Sequence, residues 1–343
     1  MRYAALSVLA FVVMCGVPLG TAAAAEDCPG NPDALGTSRT LVVDPTEHVR
    51  IGSMNYAETL PLADKEVVLT FDDGPIAPYT NKILDILASE CVHATYFIVG
   101  QMAQLRPELV RRAAREGHTI GTHSMTHPFG FQLLPFEKAK EQIDDGIAAT
   151  TAALGDTAKL APFFRFPGFG HTEAAEDYAE SRGLMVWGAD FPADDWLRIS
   201  DKEITRRALM RIEHSGKGVL LLHDIHPATV KALPVLLHEL KVRGYHIVHV
   251  VPASADHPAT ETSRNDWLVP KRLPAMVFSS AVQELDGSFF MQHSGDDLCS
   301  LRATMTRPLA SSRHSSGGRA LRHYPTPRRS GMHAQTSYSP RWD

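Results

Sequence analysis

The sequence predicts an α/β domain of about seven parallel strands that alternate with helices and close towards a barrel. Two observations carry this expectation. Short apolar runs alternate with stretches of helical periodicity from Glu66 to Val250. Polar residues stand at the C-terminal ends of five of those runs: Asp72/Asp73, His123/His127, Arg165, Asp190 and His223. Alternation alone would also suit an open doubly wound sheet with one switch point. Five polar strand ends favour a barrel, because there the ends converge on one face.

The chain has 343 residues, of which 44% are hydrophobic, enough for a sizeable core. A net charge of −5 gives no reason to expect a nucleic-acid partner. The N-terminus reads differently from the rest. Met1-Arg2 is basic, Leu6 to Leu19 is apolar but short for a span, and residues 21–25 are small. We read residues 1–25 as a secretory signal peptide cut near Ala25, with export to the periplasm or medium and no membrane span left afterwards. Cys15 falls within that peptide. In an oxidising compartment Cys28 and Cys91 can pair, which leaves Cys299 over.

Residues 26–63 read as an N-terminal arm with a short strand at Thr40 to Val43. A domain over 64–252 follows. Its strands are expected at Glu66 to Phe71, His93 to Val99, His118 to Thr122, Phe163 to Phe166, Leu184 to Asp190, Val219 to Leu222 and Tyr245 to Val250. Its helices are expected across Pro78 to Glu90, Pro107 to Glu116, Glu137 to Leu154, Glu173 to Arg182, Lys202 to His214 and Thr229 to Arg243. Several are punctuated by a following glycine, as at Gly117 and Gly183. Beyond residue 252 the periodicity stops. Residues 253–343 are rich in Ser, Arg, His and Pro and read as a disordered tail.

Chemistry concentrates at the strand ends. Asp72 and Asp73 are adjacent, and a helix cap needs only one carboxylate. Two so close would repel unless a cation or proton separates them, which suggests a ligand and a base. His123 and His127 are four apart, so a helical turn would aim both imidazoles at one ion. With Asp73 they make a three-ligand set suited to a catalytic divalent metal, zinc first, with cobalt or a similar ion also suitable. Arg165 can hold a carboxylate, and Gly168 permits close backbone approach to a reacting oxygen. Trp187 and Trp196 flank Asp190, Asp194 and Asp195 and could wall a sugar site. His223 suits proton transfer near neutral pH; with His226 it could instead form a second metal pair.

Taken in order, Thr70-Phe71-Asp72-Asp73-Gly74-Pro75, His123-Ser124-Met125-Thr126-His127, Arg165-Phe166-Pro167, Asp190 to Trp196, and Leu222-His223-Asp224 form five motifs. Over roughly residues 64–250 they resemble the NodB-homology polysaccharide deacetylases, carbohydrate esterase family four. The resemblance implies a deformed (β/α) barrel and metal-dependent removal of N-acetyl groups from N-acetylglucosamine polymers, with O-acetyl esterases on xylan among its members. It implies Asp72 as general base, Asp73, His123 and His127 as metal ligands, and Arg165 as the residue that orients Asp72. It implies His223 as general acid, oriented by Asp190 in preference to Asp195. Gly168, Phe169 and Trp196 would contact substrate. Two features depart from the family pattern. Gly168 stands where an aromatic usually follows the proline, and the fourth motif is lengthened by Phe191 to Asp194. An O-acetyl esterase and a glycan-binding pseudoenzyme are the alternative readings.

Overall fold

Residues 28–155 and 160–269 are described in a computed structural model. The expected signal peptide and the tail beyond residue 269 lie outside the described residues. In chain order the elements begin with β1 (Thr37–Val43), β2 (Arg50–Ile51), β3 (Glu66–Asp72), α1 (Tyr79–Ser89) and β4 (Thr95–Ile98). Next come α2 (Gly100–Leu105), α3 (Pro107–Arg115), β5 (Thr119–Thr122), α4 (Phe136–Leu154) and β6 (Leu160–Phe164). Then follow α5 (Glu173–Ser181), β7 (Met185–Trp187), β8 (Phe191–Pro192), α6 (Asp201–Ser215) and β9 (Gly218–His223). The described part ends with α7 (Pro227–Val242), β10 (His246–Pro252) and α8 (Arg264–Trp267).

Every strand pairing among these elements is parallel. β3 is the pivot, because it has three neighbours. Residues 67–72 pair with β9 on one edge; on the other, Thr70 to Asp72 pair with β4 while Glu66 and Val67 pair with β10. The wall therefore runs β8-β9-β3-β4-β5-β6-β7-β2. β1 and β10 lie across its N-terminal end: β10 pairs with the first residues of β3, and its Val250 carbonyl accepts from the Thr119 hydroxyl at the start of β5 (2.6 Å). Among the described residues no ladder joins β2 to β8, so the barrel they form is incompletely closed.

Alternation in β3 separates two cores. Val67, Leu69 and Phe71 point outward to a layer shared with Leu84 and Leu87 of α1, Ile204 of α6, and Leu233 and Leu236 of α7. Val68 points inward with Phe97, Phe163, Trp187 and Val219, joined by Leu41, Val43 and Val248 from the strands underneath. A strand buried on both faces has to be apolar almost throughout, which is why β3 and β9 read so clearly. Polar Thr70 and Asp72 share the inward face and look to the C-terminal mouth.

Two expected boundaries change. The segment read as an arm supplies β1 and β2, which pair with β10 and β7. Part of the segment read as tail is ordered: Trp267 is buried and stacks on His48 with centroids 3.5 Å apart. Both segments gain their order from tertiary contact, so neither has a long periodic run. Cys28 and Cys91 form a disulfide that ties the first described residue to the end of α1. Closing a loop of sequence separation 63 stabilises by roughly 4 kcal/mol on the chain-entropy scale. Among the described residues no helix is long and apolar enough to cross a membrane.

Two histidines at the N-terminal end are held neutral. His118 Nδ1 accepts from the Ala94 N–H (3.1 Å), and His249 Nε2 meets the Thr119 hydroxyl (2.8 Å). Burial pushes His118 down to about 3 and His249 down to about 4. In the unfolded chain each would titrate near 6.5. Between those values the unfolded state binds more protons, so stability falls as pH drops from about 6.5 towards 4, by up to about 1.4 kcal/mol per pH unit for each group. His118→Asn keeps an acceptor for Ala94 but removes the titration. Its urea midpoint should fall less than that of the wild type between pH 7 and pH 5; equal falls would refute this account.

Candidate active site

Asp72 is the last residue of β3, in register with His223 of β9 and Phe97 of β4. Its carboxylate therefore faces the barrel mouth. On a regular strand the next side chain would point the other way. Asp73 instead adopts φ 75°, a left-handed conformation uncommon outside glycine, and this swings its carboxylate back to the same mouth.

His123 and His127 arrive by turns of a loop and not by the helical turn that would also have brought them to one face. The segment is non-helical, with positive φ at Ser124 (64°) and His127 (50°). The ring centroids still come within 5.0 Å. His123 Nδ1 donates to the Arg165 carbonyl (2.7 Å), which fixes its tautomer and leaves the Nε2 lone pair facing Asp73 Oδ1 (3.4 Å). His127 Nε2 lies 3.2 Å from the same oxygen.

These donors fit a divalent cation. One ligand atom from each of Asp73, His123 and His127 lies within 4.8 Å of the others, and Asp73 Oδ1 is buried with no hydrogen-bond partner among the described residues. Burial, then the neighbouring His123, push His127 below its ordinary value, towards the neutral form a ligand needs. Burial acts against the Asp73 carboxylate, but His123 beside it, with His223 and His127, holds it well below the usual range. Among the described residues, His223 and His226 do not acquire a third ligand of this kind.

Arg165 follows β6 and is fully buried. Its Nη1 donates to Asp72 Oδ1 (2.7 Å) and Thr70 Oγ1 (2.9 Å), and its Nη2 to the Gly188 carbonyl (2.7 Å). The guanidinium stacks on Phe97 at 4.2 Å. Beyond it the chain turns through Gly168 (φ 56°) and Phe169 (φ 57°), and the Phe169 ring stands 5.9 Å from the guanidinium. Trp196, about half exposed, presents its ring edge-on to His223 at 5.5 Å.

The expectation for Asp190 needs correcting. Asp195 holds His223: its Oδ1 meets His223 Nδ1 at 2.8 Å, and its Oδ2 accepts from the His223 backbone N–H (2.8 Å) and the Thr229 hydroxyl (2.6 Å). Asp190 lies at the other end of β9. It accepts from the N–H groups of Ser53 (2.9 Å) and Val219 (2.7 Å) and from the Thr59 hydroxyl (2.8 Å). Val219 and His223 are four strand residues apart, roughly 13 Å. β8 covers that distance by pairing Phe191 and Pro192 with Leu220 and Leu221. The lengthened motif thus carries the chain up beside β9 until Asp195 reaches the level of His223. Asp194 (φ 61°), which precedes it, is anchored by Arg207 (2.8 Å) and Arg211 (2.7 Å) of α6.

Sequence reasoning missed Thr229 and the two α6 arginines, since nothing in their spacing marks them. Burial disfavours the His223 imidazolium, yet Asp195 beside it, with Asp73 and Asp72 further off, pushes His223 up to about 10. Asp195→Asn should lower that pKa by at least about one unit, read by NMR titration of the imidazole. Asp190→Asn should leave it in place but cost at least about 2 kcal/mol of stability, because a buried anion accepting three hydrogen bonds is lost. The reverse pattern would return the pairing to Asp190.

Comparison with known proteins agrees with this geometry. Residues 60–187 match the family described as Polysaccharide deacetylase. A peptidoglycan-N-acetylglucosamine deacetylase of Bacillus cereus is 32% identical over 196 residues, covering 56% of this chain and 89% of the relative. The peptidoglycan-N-acetylglucosamine deacetylase PgdA of Listeria monocytogenes is 32% identical over 189 residues, covering 54% of this chain but only 38% of the relative. Among solved structures, the Bdellovibrio bacteriovorus peptidoglycan deacetylase Bd3279 superposes with a TM-score of 0.57 at 29% identity, over 66% of this chain and 63% of that one. With four strand-end motifs and Asp195 of the remaining one gathered at one barrel mouth, the chain belongs to the polysaccharide deacetylase family.

Proposed function

We propose that this chain is an exported, metal-dependent hydrolase that removes N-acetyl groups from a cell-envelope polysaccharide containing N-acetylglucosamine, of the peptidoglycan type. One observation carries the proposal. A three-ligand cluster is flanked by a carboxylate gripped by an arginine, Asp72–Arg165, and by an imidazole gripped by a carboxylate, His223–Asp195. Export follows from reading residues 1–25 as a signal peptide.

Asp73, His123 and His127 would hold the cation, with zinc suited to one carboxylate and two imidazoles. When bound, it would supply Lewis-acid chemistry for addition of water to the acetamide carbonyl. Asp72, fixed by Arg165, takes the proton of the attacking water. His223 carries a proton and is aimed by Asp195, so it can hand that proton to the departing nitrogen. An amine is a poor leaving group until protonated, and this is why a strongly held imidazolium favours amide over ester cleavage. Trp196 and Phe169 form apolar walls beside the acid and the arginine, suited to a sugar ring and its acetyl group.

Purified protein with zinc or cobalt should release acetate from peptidoglycan fragments or N-acetylglucosamine oligomers. Asp72→Asn should lower kcat by about a thousandfold while glycan binding survives. Activity kept in Asp72→Asn would overturn the assignment. His223 gives its proton away only while it carries one, so turnover should fall as pH rises through its pKa, and Asp195→Asn should move that fall to lower pH. Metal-loaded protein that binds glycan yet releases no acetate from any of these substrates would favour a pseudoenzyme. Preference for acetylated xylan would favour the O-acetyl esterase.

A further inference from the structure

We propose that Asp224 is a positioning residue for the metal site: its carboxyl group clamps Gly74 and thereby fixes the turn that carries Asp72 and Asp73. The inference rests on the metal-ligand reading of Asp73 given above. Asp224 follows His223 and is completely buried, but its side chain points away from the mouth, towards α1. Its Oδ2 accepts from the Thr80 hydroxyl (2.6 Å), and Thr80 Oγ1 accepts in turn from the Ile76 N–H (2.8 Å). The other oxygen, Oδ1, is buried and has no hydrogen-bond partner among the described residues.

That oxygen lies against Gly74. A Cβ built on Gly74 would fall 2.1 Å from Asp224 Oδ1, 2.2 Å from Oδ2 and 2.5 Å from Cγ. Gly74 has no positive φ, so its glycine is required here by close approach and not by backbone conformation. On its other side the Gly74 carbonyl accepts from the Val99 N–H (3.2 Å). Gly74 is thus held between β9 and the end of β4. The residue before it is Asp73, whose left-handed φ of 75° persists only if the surroundings hold it. With Gly74 clamped, the Asp73 carboxylate is held towards the two imidazoles; without the clamp the turn can relax and withdraw it. Burial pushes the Asp224 carboxyl up to about 7, so this pocket accepts an uncharged group of the same shape.

The test is zinc affinity, measured by chelator competition on the folded full-length chain, which requires no substrate. Asp224→Ala should weaken zinc binding by 10- to 100-fold, the usual range for a residue that supports a ligand from behind. Asp224→Asn keeps the shape and the acceptor for Thr80, and should bind within about threefold of the wild type. Thr80→Val should give a loss between the two and provides a second route if Asp224→Ala folds poorly. Gly74→Ala should weaken binding as Asp224→Ala does. In the double variant the added methyl occupies the vacated space, so the two losses should not multiply.

Wild-type affinity in folded Asp224→Ala, no rescue by asparagine, or multiplicative losses would each overturn the proposal. Acetate release is scored separately. A wild type that binds zinc but releases no acetate would sink the deacetylase reading and leave the clamp standing.

Discussion

The buried Arg165–Asp72 pair is the constraint on which the mouth of this barrel depends. The guanidinium ties two parts of the wall to its own strand: Thr70 and Asp72 of β3, and the Gly188 carbonyl after β7. Burial pushes its pKa below the ordinary arginine value, which records the cost of placing a charge there. That cost is offset only because the geometry is complete, with carboxylate, hydroxyl and carbonyl acceptors and a Phe97 face beneath. Removing one partner leaves the other charge buried and uncompensated, a loss of about 3–5 kcal/mol. The same contact that holds the strands together therefore also fixes the proposed base.

Two aspartates on the β7–β9 connection divide a related task. Asp190 fastens the segment after β2 to the beginning of β9, at the place where no strand ladder closes the barrel. Asp195 fastens the connection to the end of β9 and aims His223. Between them β8 acts as a spacer of two residues, so the distance between the structural and the functional carboxylate is set by strand rise.

This also explains what could be read from the sequence and what could not. The parallel alternation was legible because β3 and β9 are buried on both faces and are apolar nearly throughout. The positions of Asp72, Asp73, His123, His127, Arg165 and His223 at one mouth followed from their places at strand ends. The choice of Asp190 over Asp195 failed because it turned on β8, a Phe-Pro pair with no periodicity to announce it. The pairing of His123 with His127 was legible from their spacing, but the way they meet was not, because spacing carries no information on φ and Ser124 and His127 are left-handed. β1, β2 and Trp267 went unread as parts of the barrel for a different reason. They are ordered by partners more than a hundred residues away, and local pattern does not register such partners.

The charges at the mouth lead to a last step. Asp72 is matched by Arg165, and Asp195 by the His223 imidazolium. Asp224 is pushed up to about 7 and can be uncharged. Asp73 is left with two imidazoles that need to be neutral to serve as ligands, so the mouth carries one negative charge with no cationic partner among the described side chains. The same imbalance contributes to His223, whose raised pKa draws partly on Asp73 and Asp72. A divalent ion on Asp73 would cancel those contributions and leave Asp195 as the main support of the imidazolium. His223 would then sit closer to neutrality, where a proton donor is most readily recharged between turnovers. The proposed metal site and the proposed acid would thus be coupled through charge, although among the described residues no side chain bridges them.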